Sequence, residues 1–213
     1  MAEPLDARER AELCDLFDEL GPDAPTLCEG WTTADLAAHL VVRERDPRSG
    51  PGIVLGGRLA AFERYTDKLM ERAKAKGYPY LVGKVRSGPP IGPFKVPKLR
   101  TLINFQEYVV HLEDVRRANG RGPRTDRPDL DAAVWRHLRS GARFEVRGVK
   151  GYGVKLQWGD DTIDAKKGDV TATIAGGPVD ILLFLFGRKG AAQVDITGDP
   201  AAVEAVKAAK MGI

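Results

Sequence analysis

The sequence predicts a helical N-terminal region, residues 1–147, joined to a small α+β unit, residues 148–213. Three observations carry this expectation. Apolar residues recur at three- and four-residue spacing as far as about residue 143. The period then becomes two, in Val154-Lys155-Leu156-Gln157-Trp158 and in Val170-Thr171-Ala172-Thr173-Ile174. A length of 213 residues suits one domain, or one with a small appendage.

The first helix is expected from about Asp6 to Leu20, with Leu13, Leu16, Phe17 and Leu20 as its buried stripe. Asp6 followed by Glu9 resembles a capping box, and Gly21-Pro22 ends the helix. Thr32 and Asp35 form a clearer capping-box pattern at the head of the second helix, which runs to about Arg45. Trp31 and Leu36 have the spacing of a hydrophobic staple across that start. A third helix is expected over Ile53 to Lys76, with Leu59, Phe62, Leu69 and Met70 inward. Residues 77–97, rich in Gly and Pro, read as a long loop. Pro97 opens a fourth helix that ends near Asn119-Gly120. A fifth, about Asp129 to Arg143, carries Leu130, Val134 and Leu138 on one face. Beyond the alternating segments, Pro178 to Phe186 reads as a helix buried on a sheet, Val194 to Ile196 as a strand, and Pro200 to Lys210 as a last helix.

Composition excludes several classes. Charged residues are 30% and hydrophobic residues 43%, which fits neither disorder nor collagen nor a coiled coil. The longest apolar run, Ile181–Phe186, is far shorter than the ~20 residues of a membrane helix, so no membrane partner is expected. The N-terminus has no apolar signal region, which predicts a cytoplasmic protein. Cys14 and Cys28 are then expected as free thiols or small core residues, with no disulfide. Net charge is +3, but Lys84–Arg100 holds five cations and no acid, and Arg116–Arg127 holds five arginines and one acid. These runs are either solvated charge or an attraction for an anionic ligand. With no groove-reading motif or stacking array, no nucleic acid is expected as a partner.

The chain has three histidines, and two of them fall on inward helix faces. His39 shares the face of Leu36 and Leu40. Glu107 and His111, four residues apart, project from the same side of the fourth helix, with Ile103 one turn earlier. A carboxylate and imidazoles turned into a bundle must bind each other, a third polar group or a metal. One carboxylate and two imidazoles also form the ligand set of a catalytic zinc site, with an open fourth position. His137 has no partner nearby in sequence and reads as structural or exposed, or as an outer support of the site. The run Ile181–Phe186 reads as core of the small unit, the alternative being a cradle for a lipid-like ligand.

Cys28-Glu29-Gly30-Trp31-Thr32-Thr33-Ala34-Asp35-Leu36-Ala37-Ala38-His39-Leu40 resembles the hallmark segment of the mycothiol-dependent maleylpyruvate isomerase family, within the DinB-like metal-binding superfamily. A second family segment is similar to Glu107 through Ala118. Gly176 to Arg188, followed by Gly198-Asp199, resembles the small sterol-carrier-like domain appended to these proteins. The resemblance implies a DinB-like four-helix bundle with that C-terminal α+β domain. It implies a divalent metal, zinc, on His39, Glu107 and His111, and mycothiol as co-substrate. The implied activity is that of an S-transferase or cis-trans isomerase in which the metal activates the thiol for attack on a small electrophile. The alternative is a metal- or small-ligand-binding protein without turnover. For a carboxylated substrate the basic candidates are Arg43, Lys95, Arg100 and Arg188; Arg43, one turn after His39, is the expected catalytic contact. The state expected is a monomer or homodimer.

Overall fold

The structure is a computed structural model that describes residues 4–46, 60–89 and 97–211. It is helix-rich, with a small four-stranded sheet toward the C-terminus. Backbone packing divides the chain into two compact units, one up to Gly122 and one from Pro123.

The first unit contains α1 (Leu5–Leu20), α2 (Thr33–Arg45), α3 (Ala60–Lys74), α4 (Tyr78–Arg86) and α5 (Pro97–Ala118). The apolar stripes meet in one core: Leu13 and Phe17 of α1, Leu36 and Leu40 of α2, Leu81 and Val85 of α4, and Tyr108 and Leu112 of α5. Met70 and the partly buried Leu69 of α3 pack there as expected. Residues 53–59, Leu59 among them, and Lys95 lie outside the described residues, as do the side chains of Phe62, Arg100 and Ile103.

Two expectations are corrected in this unit. Asp6 is not a cap. Helix α1 begins at Leu5 after Pro4, which supplies no side-chain cap, and Asp6 and Glu9 are both fully buried within the first turns. Residues 78–86 are not loop but helix α4. Pro79 sits in its first turn, where a missing N–H costs nothing, and Gly77 takes a φ of 90° to turn the chain into it. Leu81, Val82 and Val85 then bury one face.

The second unit contains α6 (Pro128–Glu145), a 3₁₀ turn over Val146–Gly148, strands β1 (Gly153–Trp158), β2 (Asp161–Lys166), β3 (Thr171–Gly176) and β4 (Val194–Gly198), and helices α7 (Pro178–Leu185) and α8 (Pro200–Ala208). Packing groups α6 with the sheet, whereas the expected boundary near residue 148 follows that helix. Strand order is β2-β1-β3-β4; β1 and β3 are parallel and the outer pairs antiparallel. Strand β2 was not foreseen. Trp158 pairs with Asp161 across Gly159-Asp160, and Ile163 and Ala165 are its buried positions. Its Asp161, Asp164 and Lys166 suit an edge strand, which charge protects from further pairing. All of α7 is buried, as a helix on a sheet should be. No helix among the described residues is long and apolar enough to cross a membrane.

Candidate metal centre

The site begins with the cap of α2. Thr32 Oγ1 accepts from Asp35 N–H, and Thr32 N–H donates to Asp35 Oδ2 at 2.9 Å, a complete capping box. Such a cap stabilises a helix by about 1 kcal/mol. Lys74 of α3 donates to the other Asp35 oxygen at 2.8 Å. Trp31 packs on the core that includes Leu36. Six residues into α2, between the buried Ala38 and Leu40, His39 emerges with its side chain 23% exposed.

Helix α5 brings Glu107 and His111 alongside. His39 Nε2 lies 3.1 Å from Glu107 Oε1, and His111 Nε2 lies 3.3 Å from the same oxygen. The two imidazoles stand 5.4 Å apart between centroids, at 71°. Trp31 flanks His39 at 5.2 Å. The structure thus gathers the three residues singled out by inward spacing, with His39 68 positions before Glu107.

On its other edge, His111 Nδ1 is 2.9 Å from Asp114 Oδ2, and Asp114 is fully buried. With Nδ1–H donating to that carboxylate, Nε2 is the ring nitrogen turned to Glu107 and His39. The Cys28 thiol donates to Asp114 Oδ2 at 3.3 Å and lies 4.0 Å from His111 Nδ1. The chain thus sets a thiol beside the site. The cause is local. Leu27 N–H donates to Asp114 O, and Gly30, at φ 74°, lets Trp31 N–H return to Cys28 O. The loop before α2 is thereby tied to the end of α5. The sequence signal was the three-residue step from His111 to Asp114, a helical neighbour spacing.

Burial pulls these groups toward their neutral forms, and the pairs decide the outcome. Burial pushes the Glu107 carboxyl up, but hydrogen bonds from His111 and His39 and the charge of Arg43 hold it well below the usual range. Burial pushes His111 down, but Asp114, Cys28 and Glu107 together raise it well above an ordinary histidine. For His39 burial prevails over Glu107 and the value falls.

Arg43 does not stand at a rim awaiting a substrate carboxylate. Its side chain is 6% exposed, and its NH1 donates to Asn104 Oδ1 at 2.6 Å. Its Nε lies 3.1 Å from Glu107 Oε1, an ionic contact rather than an aligned hydrogen bond. Asn104 in turn donates to Glu44 Oε1 at 3.1 Å, and Glu44 is gripped by Arg10 at 2.6 and 2.8 Å and by Tyr108 Oη–H at 2.8 Å. His137 lies on α6 and Arg188 follows α7, both in the second unit. Burial lowers the His137 value, and Arg188 NH1 donates to Phe186 O. Among the described residues of the basic runs, Arg116 and Arg117 pair with Glu113, Arg121 with Glu19, and Arg86 with Asp15 and Asp18. Neither Cys14 nor Cys28 is in a disulfide.

Among the described residues, two groups of donors are close enough to share an ion: His39, Glu107 and His111, and separately Cys28, His111 and Asp114. The first fits a divalent cation better. Donors around zinc at 2.0–2.2 Å stand roughly 3.3–3.6 Å apart, close to the spacings about Glu107 Oε1, and both histidines present Nε2. The second group shares His111 Nδ1, which Asp114 already engages.

A helical unit carrying two imidazoles and a carboxylate on facing helices is of the kind that builds metal sites in bundle cores. The sequence model of the mycothiol maleylpyruvate isomerase N-terminal domain matches residues 6–140, a span that takes in both site helices. The chain belongs to that family. Among solved structures, it is similar to the mycothiol-dependent maleylpyruvate isomerase, with TM-score 0.53, 15% identity, and 91% of this chain and 90% of that one covered. A histidine-to-alanine mutant of that enzyme matches with TM-score 0.55 at the same identity and coverage. At that identity the likeness shows a shared fold. No curated protein sequence matches this chain.

Proposed function

We propose that the protein is a metal- and thiol-dependent transferase or isomerase acting on a small electrophilic substrate, with mycothiol as its thiol and zinc as its metal. The observation that carries this reading is the meeting of His39, Glu107 and His111 around one carboxylate oxygen, in a chain of this family. These residues would hold the ion. When bound, it would supply a fourth position where a small thiol, with an ordinary pKa near 8.5, loses its proton at neutral pH. The chain's own side chains do the rest. Asp114 fixes the His111 ring and keeps Nε2 free to coordinate. Trp31 packs beside His39, with ring centroids 5.2 Å apart. A cytoplasmic location, where low-molecular-weight thiols are kept reduced, belongs to the same reading.

Turnover of an electrophilic alkene or haloarene should require mycothiol and metal together. The measurement compares mycothiol, glutathione and no thiol, each with and without chelator. Equal rates in all arms would leave a binding protein without turnover.

Proton release offers a second check. With His111 raised well above 6.5, the metal-free protein holds its proton to higher pH than an ordinary histidine does. That charged form contributes stability fully below about 6.5, and the contribution is lost as pH rises through the raised value. A metal needs the neutral ring, so binding must expel the proton. Adding zinc in weak buffer should acidify the solution, and apparent affinity should climb with pH above neutrality. A pH-independent affinity over that range would contradict the ligand assignment.

A further inference from the structure

We propose that Arg43 is a positioning residue for Glu107: anchored by Asn104, it fixes Oε1 as the one carboxylate oxygen turned to His39 and His111, so that the fourth position stays open to the thiol. The inference rests on the metal reading above.

Arg43 follows His39 by four residues, and so lies one turn further on the same face of α2. A charge this deeply buried needs partners, because an unpaired one is costly. Two contacts of its guanidinium bear on the site. NH1 reaches Asn104 and Nε faces Glu107, residues three apart on α5 and so on neighbouring turns. Asn104 is not free to yield. Its amide nitrogen is committed to Glu44, which Arg10 and Tyr108 hold from α1 and α5. The chain Arg10–Glu44–Asn104–Arg43 thus reaches from the core to the site.

The end of that chain matters most. His39, His111 and Arg43 all approach Oε1, at 3.1, 3.3 and 3.1 Å. A glutamate on a flexible stem can offer a cation one oxygen or two, and two would fill the place an outside ligand needs. Arg43 on Oε1 restrains the carboxylate against that rotation. A lysine has the charge but not the fork that holds Asn104 and Glu107 together.

The test uses the full chain loaded with cobalt(II), whose visible absorption weakens as coordination number rises. In Arg43→Gln the visible bands should weaken, and mycothiol affinity, followed by spectral titration, should fall on the order of tenfold, as for loss of other outer supports of metal ligands. Arg43→Lys should lie between the two. Wild-type spectra and wild-type thiol affinity in both variants would overturn the inference. If Arg43→Gln does not fold, Arg43→Lys decides alone: a shifted spectrum supports the role and an unchanged one overturns it. A wild-type protein that binds no cobalt would overturn the metal reading itself, an outcome distinct from bound cobalt that ignores Arg43.

Discussion

The variant Glu107→Gln should lose divalent metal and thiol-dependent turnover together. The amide keeps the size of the side chain but removes the charge, and it leaves both imidazoles and Arg43 facing a neutral group. His111→Ala should do the same by a different route, taking away a ligand and freeing Asp114 and the Cys28 thiol from their shared partner. Loss of one donor out of three should cost more than the ~10–100-fold in affinity that loss of an outer support costs. Metal content after dialysis and kcat/KM with mycothiol are the measurements. Variants that keep metal but lose turnover would show that the residue acts on the substrate rather than on the ion.

Arg10→Ala should produce the largest loss of stability among single substitutions in the first unit. Arg10 and Glu44 are both nearly inaccessible, joined by two hydrogen bonds. Removing the arginine leaves a buried carboxylate, at a cost of ~3–5 kcal/mol. That is a large part of the ~5–15 kcal/mol that keeps a domain folded. The double variant Arg10→Met, Glu44→Leu should recover much of the loss, since no uncompensated charge remains. Urea midpoints for the single and double variants give the comparison. A single variant within 1 kcal/mol of wild type, roughly the worth of a surface pair, would contradict the burial argument.

The site was legible in the sequence to the extent that helical spacing reaches. His39 between apolar neighbours, and Glu107 four residues before His111, marked two inward polar faces. Their meeting is tertiary, and the family resemblance supplied it before the structure did. The helix cap of α2 was legible because every partner lies within three residues. The cap proposed at Asp6 failed because the helix already begins at Leu5, which puts Asp6 inside its first turn. Helix α4 was hidden by composition: Gly77, Pro79, Gly83 and Gly88-Pro89 resemble a loop, although proline in a first turn and glycine before it are compatible with helix. Strand β2 was hidden by its charges, which are poor strand formers by propensity yet sit well on an edge. Cys28 beside His111 could not be read from order, because 83 residues separate them.

Those separations bear on how the molecule assembles in time. His39 and Glu107 are 68 positions apart, and Arg10 meets Glu44 across 34. Helices α2 and α5 can each wind in microseconds, but neither holds the other's half of the cluster until long loops have closed. Contacts of high sequence separation form late and slow the approach to the native state. An ion offered to the newly made chain would therefore meet Glu107 and His111 on one helix, with the imidazole of His39 still elsewhere. The cluster gathers only as the helices dock, so an ion held by all three residues would record completion of folding rather than direct its start.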